Sequence, residues 1–328
     1  MYNFCTLFDS NYLAKGLAMY LSLKEQCDNF HLYIFPFDDL SHNILKKLEL
    51  QNVTIISLAE FEDKDLLRVK KERTKAEYCW TSSSSTILYC INNFKLDNCT
   101  YIDADLYFYS SPKPIFDEIN DKSVLITSHR YTPKYDRSKR FGKYCVQFVY
   151  FKNDEFGLKA LNWWRNACIE WCYNRVEDEK FGDQKYLDDW TTRFENTLEL
   201  KHLGGGVAPW NVQQYKFKKT ENAIIGTEII SNNNFDLIFY HFHYLRFLKN
   251  ERIDFGSYKL TGNQIDLIYR PYLKALKNAE LMISKIHKVE YPQGIAAEIP
   301  CWKKVTRWIK FGFKNSINIY KTNEFWQE

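Results

Sequence analysis

The sequence lacks most of the devices that would name a function class at once. Its nine cysteines form no CxxC pair. Cys168 and Cys172 share one face of an expected helix but have no histidine at ligand spacing, which argues against a zinc ribbon or finger. Buried, reduced thiols are expected instead. No apolar run approaches the ~20 residues of a membrane-spanning helix, and no signal-peptide pattern precedes the first apolar run. A cytoplasmic chain is therefore expected, and the Asn-X-Thr triplets at Asn52 and Asn98 carry no glycosylation message. The glycine run in "HLGGGVAPWN" has neither the spacing of a dinucleotide loop nor the lysine of a P-loop. No internal repeat and no Gly/Ser- or Pro-rich linker divides the chain.

Excess charge of one sign is also missing. The formal net charge is +4 over 328 residues, too small to mark a nucleic-acid-binding protein. All of that excess lies after Cys301, where Lys303, Lys304, Arg307, Lys310, Lys314 and Lys321 outnumber Glu324 and Glu328. Trp302, Val305, Ile309 and Phe313 recur there at helical spacing with Trp308 beside them. The pattern is that of a basic amphipathic helix over residues 301–320, expected to touch an anionic membrane peripherally on its inner face; docking on its own domain is the alternative.

What is present is alternation. "YNFCTLFD", "HLYIFPFDD" and "VTIISLAEF" are apolar strands separated by the helical periodicity of "NYLAKGLAMYLSLKEQ" and "SHNILKKLEL". A β-α-β-α-β series predicts parallel strands with helices on both faces. "TKAEYCWTSSSSTILYCINNF" and "EFGLKALNWWRNACIEWCYN" are further helices, and "SVLITSHRY", "GKYCVQFVYFKND" and "LIFYHFHYLRFL" further strands. The expected organisation is one catalytic domain over residues 1–247, with a nucleotide-binding half (1–112) and an acceptor half (113–247), followed by a helical extension (248–328), lengths that single domains reach. Aromatics at 17% suit strands and sugar-facing surfaces alike.

One segment interrupts the apolar pattern. In "TYIDADLYFYSSP" two carboxylates, Asp103 and Asp105, flank Ala104 between runs that both look buried. Residues i and i+2 of a strand share a side, so the pair is expected to converge just past the strand, at the carboxyl edge where open sheets bind ligands. Buried carboxylates need a partner. A hard divalent cation fits, since Mg²⁺ and Mn²⁺ take one or two carboxylates and leave the remaining positions to water and substrate phosphates. A surface turn is the alternative.

On these residues the chain resembles nucleotide-sugar-dependent glycosyltransferases of the GT-A fold, in particular bacterial enzymes related to glycosyltransferase family 8, over roughly residues 2–247. The resemblance implies an α/β fold with a mixed sheet flanked by helices, Mn²⁺ or Mg²⁺ on Asp103 and Asp105, a nucleotide-diphosphate sugar as donor, and retention of anomeric configuration. It implies that Asp183 and Gln184 in "FGDQKYLDDW" lie beside the reacting sugar, where a helix cap is the alternative for Asp183. Phe8, Asp9, Asn11 and Lys15 follow the first strand, where base and ribose are expected, and Tyr78 and Thr81 are further nucleotide-side candidates. Gly205, Gly206 and Trp210 are expected on the acceptor side. The family's third metal ligand is a histidine in an H-x-x-G-x-K-P-W pattern that is missing here. His241 or His243, on one side of an expected strand, would stand in for it, and Arg246 or Lys249 for its lysine. The implied reaction is sugar transfer to a hydroxyl of a surface glycan or lipid-linked saccharide. Inversion, with Asp188, Asp189 or Glu179 as base, is the neighbouring reading; a sugar nucleotidyltransferase and a non-catalytic glycan-binding protein are the more distant ones.

Overall fold

The computed structural model describes residues 1–296 and 318–326. Eight strands come first: β1 (Tyr2–Phe8), β2 (Phe30–Pro36), β3 (Val53–Ile55), β4 (Asn98–Ile102), β5 (Leu106–Phe108), β6 (Val124–Ser128), β7 (Tyr144–Lys152) and β8 (Thr197–Glu199). Seven of them form one sheet in the order β3-β2-β1-β4-β7-β6-β8. β3, β2, β1 and β4 run parallel, β7 lies antiparallel to both β4 and β6, and β8 is parallel to β6. The expected mixed sheet between helices is what the chain builds.

Alternation along the strands explains how the sheet is covered. Phe4 and Phe8 of β1 face one hydrophobic cluster while Cys5 and Leu7 face the other, the two-residue period of a strand buried on both sides. The first cluster receives the helix Leu13–Gln26 through Leu13, Leu17 and Leu23, and the helix Arg270–Ile286 through Leu273, Leu276 and Ile283. The second receives the helices Lys75–Phe94 and Glu155–Glu170 through Ile87, Ile91, Leu161 and Trp164. The long helix Lys75–Phe94 opens on a reciprocal cap between Thr74 and Glu77, which satisfies two otherwise orphaned backbone donors.

The remaining strands are β9 (Gly205–Val207), β10 (Tyr215–Lys219), β11 (Ile224–Glu228), β12 (Asn234–Asp236), β13 (Phe239–His241), β14 (Arg246–Leu248), β15 (Arg252–Asp254) and β16 (Ile319–Lys321). β13 pairs with β5 on one side and β9 on the other. β14, β15 and β16 form an antiparallel sheet, so the region expected to be helical after residue 247 also carries strands. Its long helix belongs to the same core as β1. Pro292 accepts a backbone bond from Ala14 (2.9 Å), laying that segment against the first helix. The proposed basic helix over 301–320 lies outside the described residues except for its last three.

Candidate functional site

The carboxylate pair does not sit on one strand. β4 ends at Ile102, Asp103-Ala104-Asp105 forms a turn closed by Leu106 N–H to Asp103 C=O (3.3 Å), and β5 departs into the other sheet. The two aspartates therefore converge through a turn between sheets rather than by strand alternation, and Ala104 is buried beneath them. The turn is pinned on both sides: Asp103 N–H donates to Gln147 C=O (3.1 Å) and Phe242 N–H to Asp105 C=O (2.9 Å).

Register then selects the histidine. His241, the last residue of β13, pairs with Leu106, the residue just after the turn. Its Nε2 lies 3.1 Å from Asp105 Oδ1 and 3.6 Å from Asp103 Oδ2. On the other edge of the ring, Gln147 Oε1 accepts from Nδ1 at 2.8 Å, the kind of outer contact that orients a ligating imidazole. His243 is not on the strand. The chain leaves β13 after His241 and turns through Tyr244 at φ +69°, a conformation most side chains avoid. His243 has no ion pair with the carboxylates but still lies within the field of Asp105; its ring packs edge-on against Trp210, 5.4 Å between centroids, and burial and then the charge of His241 lower its pKa to about 3.

The charges act on one another. Burial opposes ionisation of His241, yet the Asp105 carboxylate holds its pKa well above the ordinary value. Burial would raise Asp105, but the charge and hydrogen bond of His241 drive it well below the carboxylate range. Asp103 is pushed up to about 6 by burial, against the pull of His241. Asp183 is pushed up to about 7 by burial and then by the charge of Asp103, so of the pair expected beside the sugar Asp183 lies within electrostatic reach of Asp103. Ser83 Oγ donates to Asp183 Oδ2 (3.2 Å) and Trp164 Nε1 to its backbone oxygen (2.9 Å). Gln184 Nε2 donates to Phe141 C=O at 2.6 Å.

The other expected residues divide. Lys15 is buried, donates to Leu245 C=O (3.2 Å) and feels the charges of Asp105 and Arg246, with burial lowering its pKa. Asp9 caps the turn that follows, accepting from the backbone and side-chain amides of Asn11 (3.0 and 2.9 Å). Phe8 is a packing residue against Gly16, where an added Cβ would lie 2.4 Å from its ring. Tyr78 donates to Glu62 (2.7 Å) and Thr81 to Glu77 C=O (2.8 Å), so both are spent on the helix and its neighbours. Arg246 pairs with Asp254 (2.5 Å), and Lys249 lies exposed in the β14–β15 turn.

Two acceptor-side expectations change. Trp210 is 3% exposed, donates Nε1 to His129 C=O (2.8 Å) and walls the two histidines; it offers no free face on which a sugar would stack. Gly205 and Gly206 are buried as well. A Cβ on Gly205 would lie 2.7 Å from Leu200, and one on Gly206, at φ +126°, 2.8 Å from Thr127. The close approach that these glycines permit is to protein, not to a ligand.

Three residues escaped the sequence reading. Gln147 and Cys145 lie inside the apolar run of β7, where a buried glutamine was the legible signal. Val146 and Val149 both face the second cluster and the register shifts against β6, a bulge of the sort that re-aims side chains beside sites. Tyr12, next to Asn11, is 41% exposed, with Lys15 Nζ 4.0 Å from the centre of its ring.

His241 Nε2 lies between two carboxylates, with an outer amide fixing the imidazole, and oxygen and nitrogen donors of this kind suit a hard or borderline divalent cation. No family model matches the chain. It is 32% identical over 287 residues to the uncharacterized protein YfnD of Bacillus subtilis (strain 168), covering 84% of this chain and 89% of YfnD. It is 30% identical over 281 residues to YfnF of the same organism, covering 83% of this chain and 91% of YfnF. Among solved structures it is similar to the galactosyltransferase LgtC in complex with donor and acceptor sugar analogues, with TM-score 0.51, 10% identity and 92% and 99% of the two chains covered; at that identity the likeness is one of fold. The chain belongs to the family of YfnD and YfnF, and its fold is the GT-A fold of nucleotide-sugar glycosyltransferases.

Proposed function

We propose that the protein is a metal-dependent glycosyltransferase that moves a sugar, with retention, from a nucleotide-diphosphate sugar to a hydroxyl of a glycan or lipid-linked saccharide. The observation that carries this reading is His241 Nε2 set against both carboxylates of the Asp103–Asp105 turn at the carboxyl end of β4, where open α/β sheets bind ligands. LgtC, of the same fold, is described with donor and acceptor sugar analogues. When bound, Mn²⁺ or Mg²⁺ would neutralise the charge that develops on the leaving diphosphate.

The chain's own residues supply the rest. Lys15, which feels the charge of Asp105, is the cation that would meet the expected diphosphate. Tyr12 is the exposed aromatic on the same rim and would stack a nucleotide base. Asp183, buried and close enough to feel Asp103, would bond the donor sugar, with Gln184 adjacent. Retention is supported by what the alternative bases are doing. Asp188 accepts from the Lys143 backbone (2.6 Å) and from Lys185 (2.9 Å), Asp189 pairs with Arg193 (2.5 Å), and the Glu179 side chain is 92% exposed. In a retaining front-face reaction the leaving phosphate takes the acceptor proton and no such base is required.

Among the described residues no helix is long and apolar enough to cross a membrane. The basic, aromatic residues 301–320 support an acceptor presented at an anionic membrane surface on the cytoplasmic side. The test of the main reading is a panel of nucleotide sugars scored by thermal shift with and without Mn²⁺, since stabilisation follows ligand concentration over affinity. One donor should stabilise the protein in a Mn²⁺-dependent way. A shift independent of metal would remove the metal from the reading, and no shift with any donor would remove the transferase.

A further inference from the structure

The donors around Asp103 extend beyond the two carboxylates and the imidazole. Cys145, on β7 two residues before Gln147, contributes Sγ to a group with Asp103 and His241 whose ligand atoms all lie within 4.8 Å of one another. The thiol is buried, the residue being 5% exposed, but the Asp103 side chain is 28% exposed, so the group has an opening to solvent. Two donor sets thus share Asp103 and His241. With Asp105 the set is two oxygens and a nitrogen; with Cys145 it is an oxygen, a nitrogen and a sulfur.

The two sets prefer different ions. Carboxylates and water suit Mg²⁺ and Mn²⁺, whereas a thiolate selects Zn²⁺ and other borderline or soft cations. A second thiol group, Cys5, Cys90 and Cys99, also clusters within 4.8 Å. Every member is 0% exposed and the group includes no oxygen or nitrogen ligand, so it has neither an entry path nor a share in the carboxylate site. Cys145 differs on both counts.

We propose that Asp103, Cys145 and His241 form a thiophilic cation site that overlaps the D-x-D metal site, so that Zn²⁺ bound through Cys145 excludes the catalytic Mn²⁺ or Mg²⁺. The inference rests on the metal reading of the D-x-D turn given above. Ligation forms sulfur–metal and nitrogen–metal bonds and releases the thiol proton and the Nε2 proton of the charged His241 to solvent, with no change in oxidation state. The consequence is a transferase that is silenced by a trace thiophilic metal at the site where its working metal binds.

The experiment uses the full chain, reduced and stripped of metal. Zn²⁺ and Mn²⁺ affinities are measured for the wild type and for Cys145→Ser, and Co²⁺ is added as a spectroscopic probe. Cys145→Ser should weaken Zn²⁺ at least about tenfold more than Mn²⁺, the scale on which a lost metal contact registers. Wild-type protein should show a thiolate-to-cobalt charge-transfer band that the variant lacks. Equal loss of both ions, or no thiolate band in the wild type, would overturn the proposal; the wild-type spectrum decides it even if the variant fails to fold. Asp105→Asn separates the two readings, because it should weaken Mn²⁺ while the cobalt–thiolate band remains. A wild type that shows the band yet binds no Mn²⁺ would overturn the working-metal reading and leave the Cys145 site standing.

Discussion

Two pairs of aspartates in this chain look alike on paper and end up in opposite situations. Asp188 and Asp189 are each paired with a cation: Lys185 holds the first, together with the Lys143 backbone N–H, and Arg193 the second. Asp103 and Asp105 have His241 as their only ion-pair partner among the described residues, and they share their surroundings with a third buried acid, Asp183. An acid that the fold neutralises is structure; acids gathered with little positive charge around them are the ones to test for a ligand.

Breaking the second pair should have the largest effect. Asp103→Asn/Asp105→Asn should lower sugar transfer by at least about 10²–10³-fold, the range seen when charge stabilisation of a transition state is removed, in protein that is still folded at the assay temperature although loss of the Asp105–His241 pair lowers its melting temperature. Full activity in that variant would sink the comparison. Next, His241→Gln should weaken Mn²⁺ binding by about 10–100-fold, measured by calorimetry, and His243→Gln should weaken it less. Equal effects would mean that the strand register does not choose the ligand.

Asp183 provides a pH test. Its folded pKa, about 7, lies above the unfolded carboxylate value of roughly 4. The folded state therefore holds the proton more tightly, and the contribution of Asp183 to stability falls as pH rises from about 4 through about 7. In metal-free protein, Asp183→Asn should gain melting temperature relative to wild type across that window. A constant difference from pH 5 to pH 8 would contradict the burial of an ionisable carboxyl. The smallest effect belongs to the neutralised pair: Asp189→Asn should cost no more than about 1 kcal/mol in denaturant unfolding, as surface ion pairs do, and leave transfer unchanged. Loss of transfer in that variant with the fold intact would favour inversion with Asp189 as the base.

Legibility followed distance along the chain. The β-α-β opening was readable because Phe4, Phe8, Leu13 and Leu17 express their faces through local periodicity, and the D-x-D turn because two carboxylates stand out between apolar runs. The end of the strand just before the pair is legible too, but nothing local says that the turn then sends β5 into another sheet. Gln147 was visible as a polar residue in an apolar strand, but its partner was not, because that contact spans the two sheets. Trp210 and the glycine run read as ligand-facing only while their packing neighbours, His129, Thr127 and Leu200, were unknown.

By itself, then, the sequence determined the class of the fold and the position of the carboxylates, since both arise from periodicities and from residue types a few positions apart. Tertiary structure alone decided which histidine joins them and which thiol lies beside them. Those choices depend on the pairing of β13 with β5 and on the bulge in β7, contacts between segments far apart in the chain that no local pattern encodes.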